Sequence, residues 1–242
     1  MALFSQRKIS VISLLLYWPM LLVFAHVPIP ESVQKADVSD KCLHFLAYLV
    51  LTFLLWFSIK PGEKVRWNKF TPWLLLFFIT GYGAADEIVQ SFVGRNCDVM
   101  DAVTNFSGAL FGLILLTFLR FMPAALVIAA MVIFGMANVS KTNLADIFPI
   151  IDGIFSFFSF AIFTILWLLN MNLFFPNKLS GIKRVLITAG MPLCLLILVR
   201  FSSFLLGRDI EAEDVILPIA AVLIVTGASY FKIFLPVQTE RI

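Results

Sequence analysis

Eight runs of mostly apolar residues divide the chain, and each is close to the length of a membrane-spanning helix. A helix rises about 1.5 Å per residue, so about 20 residues cross the ~30 Å hydrocarbon core of a bilayer. The predicted spans cover residues 9–27, 43–59, 73–92, 101–120, 123–138, 150–175, 185–206 and 215–235. Hydrophobic residues make up 61% of the chain, which excludes a soluble domain. Because the apolar runs are continuous rather than alternating, the sequence predicts an all-α, polytopic transmembrane helical bundle.

The boundary between the fourth and fifth spans is predicted at Pro123. One helix from Asp101 to Asn138 would be roughly 57 Å long, which is too long for a single crossing. Proline is tolerated in the first turn of a helix, where its missing N–H has no intrahelical acceptor. Two spans joined by a tight turn are therefore predicted.

Polar residues within the spans are concentrated in the first half of the chain. We therefore predict a four-helix domain that carries the polar motifs, residues 1–120, and an additional four-helix membrane region, residues 121–242. Asp152 and Arg200 are the main exceptions in the second region. Arg200 is expected either to extend towards the membrane surface or to pair with an acid such as Asp152.

Basic residues are distributed unevenly between the two sides of the predicted bundle. With a cytoplasmic N-terminus, the cytoplasmic side holds Arg7, Lys8, Lys60, Lys64, Arg66, Lys69, Arg120, Lys178, Lys183, Arg184, Lys232 and Arg241. The outer side holds Lys35, Lys41, Arg95, Lys141 and Arg208. Positively charged loops stay in the cytoplasm, so both termini are predicted to be cytoplasmic. Topology and anionic lipid explain the basic loops, so nucleic-acid binding is not indicated.

Asp86 and Glu87 are adjacent within the third apolar run, one turn before Gln90. A carboxylate at membrane depth costs roughly 2.5–3.5 kcal/mol, so such residues usually face a protein interior and carry function. Adjacent helical residues diverge by about 100°, so the two acids cannot face one partner equally. One is expected to point into a pocket while the other pairs with Arg95 or Arg200. The alternative is a structural ion pair that holds helices together.

Asp40, Lys41 and His44 lie at the start of the second span. Asp40 and His44 are four residues apart and therefore share one face of a helix. A carboxylate beside an imidazole can orient it for general-base chemistry or for metal binding. The alternative is that Asp40 stabilises the positive end of the helix and that His44 makes a buried hydrogen bond.

Arg95, Asp98, Asp101 and Asn105 lead into the fourth span. Asp98 is predicted to cap the helix, with Asp101 in its first turn. Asn105 lies one turn deeper on the face of Asp101, where its amide needs a partner. The planar guanidinium of Arg95 is suited to phosphate or carboxylate, because it donates two hydrogen bonds at once.

Small residues predict close helix contacts near these polar groups. Gly108 and Gly112 of the fourth span form a small-xxx-small face, and residues 81–85 of the third span are also small around Tyr82. The second and fourth spans begin on the outer side and the third span ends there. The three polar segments are therefore expected to converge on one pocket that opens to the outer leaflet.

These three segments together resemble the VanZ-like family. The residues that match in order and spacing are Asp40, Lys41 and His44; Asp86, Glu87, Gln90 and Phe92; and Gly94, Arg95, Asp98, Asp101, Asn105, Gly108 and Gly112. The resemblance covers about residues 9–120, and Val93 stands where a proline is common in the family. The family is named for a member associated with resistance to the glycopeptide teicoplanin. The resemblance therefore implies a multi-pass protein of a bacterial cytoplasmic (inner) membrane, with a role in the cell envelope and in antibiotic resistance.

The first functional hypothesis is an enzyme that acts on a lipid-linked or phosphate-bearing envelope molecule at the outer leaflet. Its candidate catalytic residues are Asp40, His44, Asp86, Glu87 and Asp101, and its candidate ligand-binding residues are Lys41, Gln90, Arg95, Asp98 and Asn105. The acids could hold a divalent cation through oxygen ligands, with His44 as the acid or base. The sequence does not specify a cofactor.

Two other functions compete with catalysis. The second hypothesis is a non-catalytic membrane protein that binds a lipid precursor, an antibiotic or a partner protein. The third is a transporter with a proton relay, which is disfavoured because the polar residues cluster at one surface and show no inverted repeat. The residues alone leave the choice between catalysis and binding open.

Cysteine labelling tests the predicted topology. Single cysteines in residues 28–42, at Arg95 and in residues 208–214 should react with an impermeant thiol reagent in intact cells, because the positive-inside rule places them outside. Cysteines at either terminus should react only after permeabilisation. A cytoplasmic Arg95 would contradict the outer-leaflet assignment.

Overall fold

The computed structural model describes residues 3–26, 37–92, 98–140, 149–175, 182–208 and 210–231. Over these ranges the chain forms helices and no strands, which confirms the all-α prediction. The α-helices are α1 (Leu3–His26), α2 (Asp37–Ile59), α3 (Phe70–Phe92), α4 (Val99–Phe118), α5 (Phe121–Gly135), α6 (Pro149–Phe174), α7 (Ile182–Leu205) and α8 (Glu213–Tyr230). A π-helical segment, Met136–Ser140, follows α5.

The break between the fourth and fifth helices is confirmed. Helix α4 ends at Phe118 and α5 begins at Phe121, which places Pro123 in the first turn of α5. The turn is short because Ala124 N–H already donates to the carbonyl of Arg120 at 2.9 Å.

Six helical segments of the described chain are long and apolar enough to cross a membrane. They are Lys41–Ile59, Val99–Phe118, Phe121–Asn138, Gly153–Met171, Ile182–Leu205 and Glu213–Tyr230. Helix α1 is not among them, and neither is α3, which contains Asp86, Glu87 and Gln90. The six segments identify a multi-pass membrane protein. The count of eight spans and the cytoplasmic termini stay predictions.

The chain divides into two compact units, Met1–Gly135 and Met136–Ile242. The first unit contains α5 in addition to α1–α4, and the second contains the π-helical segment with α6–α8. The functional division at residue 120 stays a prediction.

Helix α2 is the central helix of the first unit. It packs against α4, α1 and α5, and α4 also packs against α3. Leu49 and Phe57 of α2, Ile79 of α3 and Leu113 of α4 are fully buried in this core. Helices associate in lipid through close van der Waals packing of this kind. An apolar side chain gains little free energy when it exchanges contact with lipid tails for contact with another helix.

Gly108 lets α4 approach the backbone of α2. A Cβ atom at this position would collide with the carbonyl oxygen of Phe45. One turn later, a Cβ on Gly112 would lie 3.2 Å from the Cβ of Thr52. The predicted small-residue contact face is therefore confirmed, and it brings the first turns of α4 beside the start of α2.

In the second unit, α6 packs against α7 and α8, and buried polar groups pair within the unit. Arg200 Nη1 lies 3.6 Å from Asp214 Oδ2, and Ser203 donates a hydrogen bond to Asn138 Oδ1 at 2.8 Å. Arg200 was expected to extend outwards or to pair with an acid such as Asp152, and Asp214 is the acid that it contacts. The side chain of Asp152 lies outside the described residues.

Substitution of Gly108 tests the close approach of α2 and α4. Gly108→Ala should lower the free energy of unfolding by about 1–3 kcal/mol, because the new methyl group must displace the Phe45 carbonyl. Thermal unfolding of the purified protein in detergent would measure this as a lower Tm. Gly81→Ala is the matched control, since nothing lies within 4 Å of a Cβ there. Equal Tm values for the two variants would contradict the contact.

Candidate functional site

Four helix ends meet at one end of the first unit and bring together most of the polar motif residues. His26 lies in the last turn of α1, His44 near the start of α2, Glu87 near the end of α3, and Asp101 and Asn105 in the first turns of α4. We call His44, Glu87, Asp101 and Asn105 the polar cluster. Its members come from three helices, which the close α2–α4 contact holds together.

His44 is the centre of the polar cluster. Its Nδ1 donates a hydrogen bond to Asn105 Oδ1 at 3.0 Å, and its Nε2 lies 4.0 Å from Asp101 Oδ2. The side chain of His44 is 10% exposed. An amide oxygen only accepts hydrogen bonds, so Nδ1 carries the proton of this hydrogen bond.

Glu87 is buried against His44, with its side chain 3% exposed and its Oε1 3.9 Å from His44 Nδ1. Neither carboxylate oxygen has a hydrogen-bond partner of good geometry within the described residues. Buried polar atoms are nearly always hydrogen-bonded, and a buried charge is costly unless it is paired. Glu87 is therefore the member of the polar cluster that most requires an explanation.

Asp86 is directed away from Glu87 towards a different pair of residues. Gln90 donates a hydrogen bond to Asp86 Oδ2 at 3.0 Å, and His26 Nε2 lies 3.9 Å from Asp86 Oδ1. This division follows from the angle of about 100° between adjacent helical residues. Each of the two acids therefore lies beside a different histidine.

His26 contacts Asp86 but belongs to none of the sequence motifs. It lies at the end of the first predicted span, and no motif spacing links it to α3. Its position at the same end of the bundle as Asp86 was the only signal in the sequence that could have indicated the contact.

Tyr48 is a second residue of this region that belongs to none of the sequence motifs. It lies one turn after His44 and is 1% exposed. A Cβ on Gly83 would lie 3.1 Å from Tyr48 Cε1 and 3.2 Å from Asn105 Cβ, so Gly83 makes room for both side chains. The predicted close approach at this small residue of α3 is confirmed. Tyr48 and Asn105 therefore both lie against Gly83 of α3.

Lys41 and Asp98 form the exposed side of this region. Lys41 Nζ lies 3.5 Å from Asp98 Oδ2, and these side chains are 27% and 41% exposed. Asp98 also accepts a hydrogen bond from the Met100 N–H at 2.8 Å. The predicted N-cap of α4 is therefore confirmed, and Lys41 places a cation beside it.

The side chains of two predicted site residues, Asp40 and Arg95, lie outside the described residues. Asp40 belongs to α2, but its side chain lies outside the described residues, and so does Arg95 together with the rest of residues 93–97. The contact of Arg95 with a carboxylate stays a prediction, as do the roles assigned to both residues.

A possible set of metal ligands differs from the one that the sequence indicated. One ligand atom each of His44, Glu87 and Asp101 lies within 4.8 Å of the other two. Asp86 is instead hydrogen-bonded by Gln90, and Asp98 caps α4. An imidazole therefore joins two carboxylates in this group.

The polar cluster lies within the part of the chain that matches a known family. Residues 4–120 match the VanZ/LLP1 family, a range that covers α1–α4 and just under half of the chain. This match confirms the resemblance to the VanZ-like family that was inferred from the spaced motifs, over the part of the chain that carries those motifs. No curated protein and no solved structure matches the chain.

Loss of the Asn105 amide tests the hydrogen bond that orients His44. Asn105→Leu should lower the free energy of unfolding by about 1–3 kcal/mol, because it removes the acceptor of a buried N–H. Ser107→Ala is the control on the same helix, since the Ser107 hydroxyl is exposed and bonds only to the Val103 carbonyl. A Tm for Asn105→Leu equal to that of the control would contradict the hydrogen bond.

Proposed function

We propose that this VanZ-like protein binds a lipid-linked or phosphate-bearing envelope molecule at the outer ends of α2–α4 and acts on it through His44. The observation that carries the proposal is the placement of His44 between Asn105, Glu87 and Asp101. A role in glycopeptide resistance, which the family name implies, belongs to the same proposal. The particular envelope molecule is left open.

Proton transfer is the chemistry that His44 supports best. Histidine is the side chain whose ordinary titration spans neutral pH, so it both accepts and releases a proton there. The hydrogen bond between Nδ1 and Asn105 fixes the orientation of the ring. A general acid or base must be held in this way to act on a bound substrate.

The surroundings of the polar cluster suit an amphipathic ligand. Ile88, Val89 and Phe92 are exposed on α3 beside the buried Glu87. On a membrane protein such side chains contact lipid tails, so an acyl or isoprenoid chain can lie along them while its head group reaches the polar residues. Lys41 provides a cation for a phosphate at the opening.

The two carboxylates restrict how a phosphate could bind. Glu87 and Asp101 would repel an anionic head group at short range, because charges interact strongly in a medium of low dielectric constant. A cation must therefore lie between the carboxylates and the phosphate. Lys41 and Arg95 are the basic residues that the proposal assigns to this function.

Lipid binding by the purified protein tests the first part of the proposal. Phosphatidic acid should bind saturably in neutral-lipid nanodiscs, whereas diacylglycerol with the same acyl chains should bind at least about tenfold more weakly, a difference of about 1.4 kcal/mol. Lys41→Gln should weaken phosphatidic acid binding by a similar factor. Native mass spectrometry would measure the bound lipid.

Lys64→Gln is the matched control for Lys41→Gln, since Lys64 is an exposed lysine in the loop between α2 and α3, at the opposite end of α2. Equal binding of the two lipids would contradict phosphate recognition. If membrane lipid extracts incubated with the protein gain a product that His44→Gln does not form, the protein is an enzyme. Binding without conversion would instead support the non-catalytic alternative.

A further inference from the structure

We propose that His26 and Asp86 form a binding site for a primary ammonium group, which the envelope molecule carries beside its phosphate. The site lies within the first unit, between the last turn of α1 and the last two turns of α3. The phosphate rests on the proposed function above, whereas the ammonium site rests on the contacts of His26 and Asp86 and on the buried polar atoms near them. The head group that fits both sites is zwitterionic.

Two hydrogen-bonding atoms lie close together between α1 and α3 without bonding to each other. His26 Nε2 is 3.9 Å from Asp86 Oδ1, and neither atom has a hydrogen-bond partner among the described residues. A direct N–H···O bond is about 2.7–3.2 Å long, so this distance is too great for one. A single donor atom bonded to both would hold them roughly 4–5 Å apart. The separation is therefore close to that expected for one small group with two donors.

The other polar atoms of the pair already have partners, which defines what is missing. His26 Nδ1 donates a hydrogen bond to the Leu22 carbonyl at 2.8 Å. A carbonyl only accepts, so Nδ1 carries a proton, and Nε2 of the neutral ring is an acceptor. Gln90 donates to Asp86 Oδ2 at 3.0 Å, which leaves Oδ1 as a second acceptor. The missing partner must therefore donate to both atoms.

Other buried polar groups nearby favour a donor that is positively charged. Glu87 follows Asp86 directly, and these side chains are 3% and 2% exposed. The Tyr48 hydroxyl is also buried without a partner among the described residues, 3.3 Å from the position of a Cβ on Gly83, one turn before both acids. Buried carboxylates are costly unless a cation compensates them. A primary ammonium brings that charge with three N–H donors and no acceptor.

Two other occupants of the site account for fewer of these observations. A bridging water supplies hydrogen bonds but no charge to offset the carboxylates. A metal ion in a protein site usually has at least three protein ligands. Among the described residues, the group of acids and histidines close enough to share an ion does not include His26 or Asp86. An ammonium group requires only the two acceptors that this pair offers.

Exposed apolar residues on both helices allow a lipid to reach the pair. Leu22 and Val23 of α1 lie within about one turn of His26, and Val89 of α3 lies within one turn of Asp86. The His26 side chain is 22% exposed, so the histidine is the open side of the pair. Acyl chains can therefore contact the two helices while the ammonium reaches the carboxylate.

An ammonium beside the phosphate also removes the repulsion between the head group and the buried acids. Lys41, on the exposed side of this region, is assigned to the phosphate. The ammonium would lie against Asp86, so that each charge of the head group meets the opposite charge on the protein. Hydrogen bonds between ionised groups are stronger than those between neutral groups, which makes such an arrangement selective.

Competition between two lipids of equal net charge tests the ammonium site. Nanodiscs that contain phosphatidylethanolamine and phosphatidylcholine with the same acyl chains offer the full-length protein the same phosphate, but choline has no N–H donor. Native mass spectrometry should show a preference for phosphatidylethanolamine of at least about tenfold, as expected for hydrogen bonds to a charged group. The N-monomethyl lipid retains two N–H donors and should retain most of this preference.

Substitutions of the pair locate the site. Asp86→Asn should abolish the preference, and His26→Leu should reduce it by about threefold or more, because each removes an acceptor. Glu63→Gln is the matched control, since Glu63 is an exposed acid in the loop between α2 and α3, and it should leave the preference unchanged. The lipid series on the unmodified protein remains decisive if a variant does not fold. Equal binding of the two lipids, or an unchanged preference in folded Asp86→Asn, would overturn the proposal.

The ammonium site and the proposed phosphate recognition fail separately. A preference for phosphatidylethanolamine over phosphatidylcholine, without one for phosphatidic acid over diacylglycerol, would retain the ammonium site and reject phosphate recognition. The reverse result would retain phosphate recognition and reject the ammonium site. Competition by soluble O-phosphoethanolamine would support a free head group as the ligand, whereas a lipid preference that it does not reduce would support the lipid.

Discussion

The burial of Glu87 and Asp101 beside one imidazole is the constraint on which the rest of the first unit depends. Carboxylates in an apolar bundle are unfavourable unless a proton, a cation or hydrogen bonds compensate them. His44 lies beside both acids, with Glu87 near its Nδ1 and Asp101 near its Nε2, and the hydrogen bond to Asn105 orients the ring between them. The proposed function is assigned to this polar cluster for that reason.

The helix packing provides the geometry that this constraint requires. Gly108 lets the backbone of α4 contact α2 beside Phe45, one residue after His44, and Gly83 makes room for Tyr48 and Asn105. Small residues are the usual means of close approach between helices in lipid. Without them the three helices would stand further apart, and the imidazole could not lie within about 4 Å of both carboxylates.

The sequence predicted the convergence of three segments better than it predicted the partners within them. Apolar run length and small-residue spacing determine helices and helix contacts, and adjacency on a helix predicted that Asp86 and Glu87 would diverge. Which neighbour each acid contacts depends on helix rotation and tilt, which local spacing does not encode. His26 was missed for this reason, because α1 carries no motif that relates it to Asp86. The pairing of Arg200 with Asp214 in the second unit also depends on helix rotation, which the local sequence spacing does not determine.

A double-mutant cycle between His44→Gln and Glu87→Gln, measured in chelator as the free energy of unfolding, tests the contact between α2 and α3 most directly. The double variant should lose less stability than the sum of the two single variants, with a coupling of about 0.5–3 kcal/mol for residues in contact. The pair His44→Gln and Glu63→Gln provides the control. Additivity of His44 and Glu87 within about 0.3–0.5 kcal/mol would contradict the polar cluster.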